Sequence, residues 1–282
     1  MYRSSTAMVA SFFTSKVAIV TGASSGIGRE TARLLAGHGA RLTIAGTKAD
    51  ALAETKRDCI KAGAKPGGIH EVLGDIALEE TAKRIVKETV AKFGQIDVLV
   101  NNAGAHVADK MGRPGIEQPI ELFDQNISLN TRSVILVSQA AIPWLEKSRG
   151  SIVNTSSLAG QPFVNKYAPY YAISKAAVDS LTTQMAGTLI EKGIRVNAVC
   201  PGVIHTNFTT NSGVPKEAAD QFHEMISNNT SYLPVGRGGK PNDIAELIVF
   251  LADRSKSEFL IGQRIVADGG SAMRLALAEA RK

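Results

Sequence analysis

Two rhythms of hydrophobic and polar residues alternate along the chain. The first is a short apolar run, and Val17-Ala18-Ile19-Val20 is the opening example. A β-branched run with almost no polar position is how a strand reads when both faces of a parallel sheet are covered. Similar runs occupy 41–45, 69–73, 96–100, 151–155, 194–200 and 264–267. The second rhythm repeats apolar residues every three or four positions, as an amphipathic helix does. It predicts helices that begin at Arg29 and that span 48–62, 78–93, 120–145, 170–191 and 243–253. Strands alternating with helices imply right-handed βαβ crossovers and a parallel sheet with helices on both faces. Residues 203–234 are irregular, with helical character only near 218–226, and read as a lid or substrate loop. No linker or repeat interrupts the pattern. One domain is therefore expected over 16–271, between a flexible tail at 1–15 and a tail at 272–282 that can form a short helix.

In such a sheet a ligand lies outside the carboxyl ends of the strands. The tips at 21–28, 46–48, 75–76 and 101–104 should therefore share one crevice. The first tip carries Gly22, Gly26 and Gly28 between a buried strand and a helix. Free backbone N–H groups and the helix dipole favour an anion there, and glycine permits close approach.

Composition narrows the picture. Cys59 and Cys200 are too few for a disulfide framework. No run reaches the ~18 apolar residues of a membrane span. The net charge is +6 and the pI near 9.3, but the basic residues are scattered. That suits a solvated surface and an anionic cofactor better than a nucleic acid. No metal-ligand cluster is seen. Residues 1–15 are rich in Ser and Thr and lack acids, a faint likeness to a mitochondrial presequence; a cytoplasmic protein with a flexible tail is the reading adopted.

Tyr171 and Lys175 stand four apart on one predicted helix face, and Ser157 ends the fifth strand fourteen positions before Tyr171. An ammonium group near a phenol favours the phenolate and lowers its pKa. Beside the glycine turn, the three form a candidate proton-transfer set. Here the sequence resembles the short-chain dehydrogenase/reductase family in its single-domain branch. The resemblance rests on TGASSGIG (21–28), NNAG (101–104), SSLAG (156–160), YAISK (171–175), PGVIHT (201–206) and GQRIVADGG (262–270), in the family's order. It implies a three-layer, doubly wound (Rossmann-type) parallel sheet of seven strands, in the order 3-2-1-4-5-6-7, and a nicotinamide cofactor.

By resemblance, Tyr171 is the catalytic acid or base, Lys175 lowers its pKa and holds the cofactor's ribose, and Ser157 stabilises the substrate oxygen. Asn130 would order a water relay to the lysine, with Asn126 its competitor. Implied cofactor contacts are Gly22, Ser24, Ser25, Gly26, Ile27 and Gly28 in the first turn, and Thr47 and Lys48 after the second strand. Asp75, Ile76, Asn102, Ala103, Gly104, Pro201, Gly202, Ile204 and Thr206 complete them, with Tyr171 and Lys175 again. No carboxylate stands at Gly46, which favours NADP(H) over NAD(H). The expected activity is hydride transfer between that cofactor and a small carbonyl or secondary alcohol. The alternatives are an NAD(H)-dependent relative or a cofactor-binding protein without turnover. Phe163, Val164, Phe208 and Met225 suggest an apolar substrate. Tyr167 and Tyr170 read as pocket or packing residues, and Cys200 as a buried hydrophobe. A homotetramer or dimer is expected, with Pro143 kinking or ending the helix that carries Asn130. No nucleic-acid or membrane partner is expected.

Overall fold

The computed structural model describes residues 11–274. Its strands are β1 (Val17–Thr21), β2 (Arg41–Gly46), β3 (Ile69–Leu73), β4 (Val98–Asn101), β5 (Ser151–Thr155), β6 (Arg195–Pro201) and β7 (Arg264–Ala267). They form one parallel sheet in the order β3-β2-β1-β4-β5-β6-β7. The order reverses beside β1, where Val20 pairs with Ile44 on one side and Val100 on the other. That reversal opens a crevice at the carboxyl ends.

The strand alternation sorts side chains into two layers. Ala18 and Val20 of β1 join a core with Leu35, Leu52 and Ile248. These come from helices α1 (Gly26–Gly37) and α2 (Ala49–Lys61) and from the helix Pro241–Ala252. Ile19 faces the other way, into a core with Ile85, Val137 and Leu189. That layer holds α3 (Glu79–Phe93), α5 (Ser133–Ser148), which follows α4 (Ile120–Ile127), and α6 (Pro169–Leu189). The segment 203–234 contains α7 (Phe208–Asn211) and α8 (Lys216–Ser227), more helix than its sequence announces. It is followed by α9, the Pro241–Ala252 helix.

Several details differ from the sequence reading. The first helix starts at Gly26, three residues before Arg29, so two glycines of the turn are helical. The helix expected over 120–145 is interrupted by a π-helical turn, Ser128–Arg132. Pro143 does not end its helix, which continues to Ser148. Pro143 and Gln139, whose carbonyl loses its helical partner, are exposed on one face, so water can take that bond. The flexible tail does not extend to Ser15. Phe13 is buried in the core, 5.2 Å from the Phe12 ring and 6.0 Å from the His38 ring by centroid. Residues 1–10 and 275–282, with the presequence likeness and most of the proposed terminal helix, lie outside the described residues. Among the described residues no helix is long and apolar enough to cross a membrane.

Candidate active site

Two strand ends, those of β1 and β4, are stitched together at the crevice. Thr21 Oγ1 accepts from the amides of Asn102 and Ala103 at 3.0 and 3.1 Å. The Asn102 side chain donates back to the carbonyls of Thr21 and Gly22 at 3.1 and 3.3 Å. A Cβ on Gly28 would collide with the Gly22 carbonyl and that same Asn102 amide. The glycines of this turn are therefore required by close packing as well as by the left-handed backbone of Gly22 and Gly26. Thr21, which no motif singled out as a site residue, is the peg that aligns the two loops.

A cavity of about 400 Å³ opens here. Gly22, Ser25, Gly26 and Ile27 form one side, Asn102, Ala103 and Gly104 the floor, and Pro201, Gly202, Ile204 and Thr206 an adjoining wall, with Thr206 close against Gly26. Ser157, Tyr171 and Lys175 line the same cavity. The Ser25 side chain does not cap α1, and the helix has no acid in its first turn. Its leading N–H groups remain available to an anionic ligand such as a dinucleotide phosphate. The other predicted cofactor residues lie at the margin. Thr47, Lys48 and Asp75 are exposed at the tips of β2 and β3, and Ile76 is buried beside Asp75. Asp75 Oδ1 accepts from the Ala77 amide at 2.9 Å. Lys48 Nζ reaches across to Asn211 Oδ1 at 3.5 Å. Ser24 Oγ is buried without a hydrogen-bond partner, in the space a Gly46 side chain would occupy.

The first turns of α6 present the reactive pair. Pro169 at the start of the helix fits its fixed φ to the first turn. Gly160 lets the helix approach, since a Cβ there would lie 2.8 Å from the Lys175 backbone carbon. Lys175 Nζ donates to the Thr155 carbonyl at 2.9 Å and lies 5.8 Å from the Tyr171 ring centre. The two serines separate by role. Ser156 Oγ is committed to the Lys175 carbonyl at 3.0 Å. Ser157 Oγ accepts from the Ala159 amide at 3.1 Å, which leaves its own proton for the Tyr171 hydroxyl or for a substrate oxygen.

Burial governs the titration of this pair. It pushes the Tyr171 phenol up to about 12, against the opposing hydrogen bond with Ser157. It also lowers the Lys175 ammonium to about 8, with Asp179 opposing. The expectation that Lys175 would bring Tyr171 below its ordinary pKa is therefore overturned in the protein alone. The phenol is held protonated at neutral pH, the form that donates a proton.

Asn130 and Asn126 are also resolved by their partners. Asn130 lies in the π-helical turn, and its carboxamide bonds both backbone groups of Ala105, at 3.0 and 2.9 Å. A Cβ placed on Gly104 would lie 2.8 Å from Asn130 Oδ1 and 3.1 Å from Lys175 Nζ. Asn126 instead holds Val107 and the carbonyl of Leu122, away from the lysine.

The cavity near Tyr171 is lined by a different set of residues from the one its sequence suggested. Of the four residues offered for an apolar pocket, only Phe208 lines it, 5.5 Å from Tyr171 by ring centroid. Phe163 and Val164 line a separate surface groove, and Met225 is exposed. Sequence reasoning missed His106, Asn165, Thr209, Asn211, Phe222 and His223. His106 is only two residues beyond Gly104, a proximity that could have marked it; the others carry no motif. The His106 and Tyr171 rings are 5.8 Å apart, and His223 stacks on His205 at 4.6 Å. Tyr170 is a packing residue, donating to the Gln118 carbonyl at 2.9 Å, whereas Tyr167 is exposed and neither packs nor lines the cavity. The Cys200 thiol is buried, raised to about 12 and 3.5 Å from Asp179 Oδ1. It is no thiolate nucleophile. Among the described residues no cluster of three or more His, Cys, Asp or Glu is placed to hold a metal.

A family model described as enoyl-(acyl carrier protein) reductase matches residues 22–272. The 3-oxoacyl-[acyl-carrier-protein] reductase FabG of Thermotoga maritima is 38% identical over 257 residues, 90% of this chain and 97% of that protein. The meso-2,3-butanediol dehydrogenase of Serratia marcescens is 34% identical over 259 residues, 92% and 95% of the two chains. A Caenorhabditis elegans short-chain dehydrogenase/reductase of unknown function, solved with cofactor, has a TM-score of 0.91 at 41% identity, with 93% and 97% covered.

Proposed function

Because the chain belongs to the short-chain dehydrogenase/reductase family of NAD(P)-dependent oxidoreductases, we propose that it interconverts a small carbonyl compound and its secondary alcohol with NADP(H). The observation that carries this reading is the meeting of Ser157, Tyr171 and Lys175 with the glycine turn in one cavity. A nicotinamide cofactor held in this cavity would supply or accept the hydride. Tyr171 holds a proton on its hydroxyl and gives it to the substrate oxygen during reduction, or takes it back during oxidation. Ser157 donates to that oxygen as charge develops on it. Lys175 keeps a positive charge beside the phenol and binds the ribose. Asn130 positions the 104–106 wall and the lysine's water.

The first turn fits a dinucleotide: uncapped helix amides, no competing acid, and an orphaned Ser24 hydroxyl beside the β2 tip. The preference for NADP(H) is supported by Gly46, which offers no carboxylate to repel a 2′-phosphate, and by exposed Thr47 and Lys48. We further propose a homo-oligomer, tetramer or dimer, built on α4 to α6, where Ile120 and Ile173 are exposed. Sedimentation at micromolar concentration checks it, and a monomer removes it.

The functional test is a panel of ketones and secondary alcohols assayed with NADPH, NADH and their oxidised forms. Turnover that needs Tyr171 supports the reading. A chain that binds the cofactor but turns over nothing, under conditions where a related reductase is active, overturns it.

A further inference from the structure

The wall beside Tyr171 contains polar groups with bonding capacity left over. His106 is half-buried and lines the cavity, yet neither ring nitrogen makes a hydrogen bond among the described residues. The histidine opposite is different: His223 Nε2 lies 3.4 Å from Thr209 Oγ1 and stacks on His205. Asn165 lines the same cavity, and its carboxamide likewise has no partner among the described residues. Burial lowers the His106 pKa below the ordinary imidazole value. At neutral pH the ring is therefore uncharged, with one donor and one acceptor. Among the described residues the one lysine or arginine lining the cavity is Lys175, which donates to the Thr155 carbonyl. Apart from Lys175, no described residue of this lining offers a counter-charge to an anionic substrate, and a purely apolar one would leave the imidazole unpaired on losing water.

We propose that the substrate carries a second neutral oxygen, hydroxyl or carbonyl, on the carbon next to the reacting one, and that His106 hydrogen-bonds it. The substrate class is a vicinal diol and its α-hydroxyketone. The inference rests on the oxidoreductase reading above and names the substrate of the same site. The geometry is consistent with it: the His106 and Tyr171 rings lie 5.8 Å apart, so neighbouring oxygens of one small molecule can meet both. A site built to pair an oxygen discriminates strongly against the analogue that lacks it.

The test compares cis-1,2-cyclohexanediol with cyclohexanol as substrates for NADP⁺-dependent oxidation. The added hydroxyl does not make the carbinol easier to oxidise, so a preference for the diol reports the site. The wild type should favour the diol in kcat/KM by ~10-fold or more. His106→Phe keeps a ring beside Tyr171, and its loss with the diol should exceed its loss with cyclohexanol by ~10-fold. His106→Gln keeps a donor and an acceptor and should restore most of the ratio. An unchanged ratio in His106→Phe, or a wild type that prefers cyclohexanol, overturns the proposal. Failure to oxidise either alcohol or reduce cyclohexanone would instead count against the oxidoreductase reading and take this proposal with it.

Discussion

Asn130 grips Ala105 by both groups of its backbone, the amide at 3.0 Å and the carbonyl at 2.9 Å. The π-helical turn at Ser128–Arg132 places that carboxamide against Gly104, which lines the cavity. Asn130→Ala removes two partly buried hydrogen bonds and leaves the Ala105 groups without these partners. It should lower stability by ~1–3 kcal/mol in urea unfolding, and turnover should fall with it. Asn126→Ala should cost similar stability with less effect on turnover, because it secures Val107 instead.

Tyr171→Phe keeps the ring between His106 and Phe208 but removes the transferable proton. Turnover should fall by ~100-fold or more, while cofactor affinity, followed by fluorescence titration, stays close to wild type. Near-full activity in this variant would end the assignment.

Lys175 connects function to a stability cost. Burial lowers its pKa from 10.5 to about 8, so folding disfavours the protonated amine. The penalty is fully present below pH 8 and is relieved as pH rises toward 10.5. Its size is on the order of 3 kcal/mol at ~1.36 kcal/mol per unit, reduced by the bond to Thr155. Without cofactor, Lys175→Met should therefore be inactive but more resistant to urea at pH 7. The advantage should shrink by pH 10. An equal gap at both pH values would contradict this account.

Gly46→Asp is the natural test of cofactor choice, but its Cβ would collide with Ser24 Oγ. The informative variant is Ser24→Gly with Gly46→Asp. The carboxylate should repel a 2′-phosphate and shift the NADPH:NADH ratio of kcat/KM toward NADH by ~10-fold or more. An unchanged ratio in a folded double variant would show that the β2 tip does not select the cofactor.

Arg195 is fully buried and donates to the carbonyls of Ser257 and Leu251 and to Ser151 Oγ, each at 2.8 Å. Arg195→Ala would orphan these acceptors and open a cavity. A loss of ~3 kcal/mol or more in urea unfolding is expected, with KM little changed because Arg195 lies outside the candidate site.

The strand order came from the family resemblance, but the sequence made the strand positions and the Ser157, Tyr171 and Lys175 grouping legible for a physical reason. Strands buried on both faces leave an unbroken apolar trace, and the ends of parallel strands must share one edge. The π-helical turn left no such trace, since Ser128–Arg132 has side chains an ordinary helix also accepts. Phe13 read as tail because its partners, among them His38, come from a later helix end. The Tyr171 titration was misjudged because pairing with Lys175 can be read from spacing, whereas burial depends on the assembled cavity. His106 escaped notice because only the fold turns it toward Tyr171.

Gly104 gives the floor of the cavity its meaning. Its backbone is not left-handed, so a larger residue could adopt its conformation. What it contributes is vacant volume, about that of one methyl group, between Asn130 Oδ1 and Lys175 Nζ. The approach of an amide and an amine from two different helices depends on matter being left out of a third segment. The smallest possible enlargement of the chain, a single carbon at 104, would act as a wedge between them.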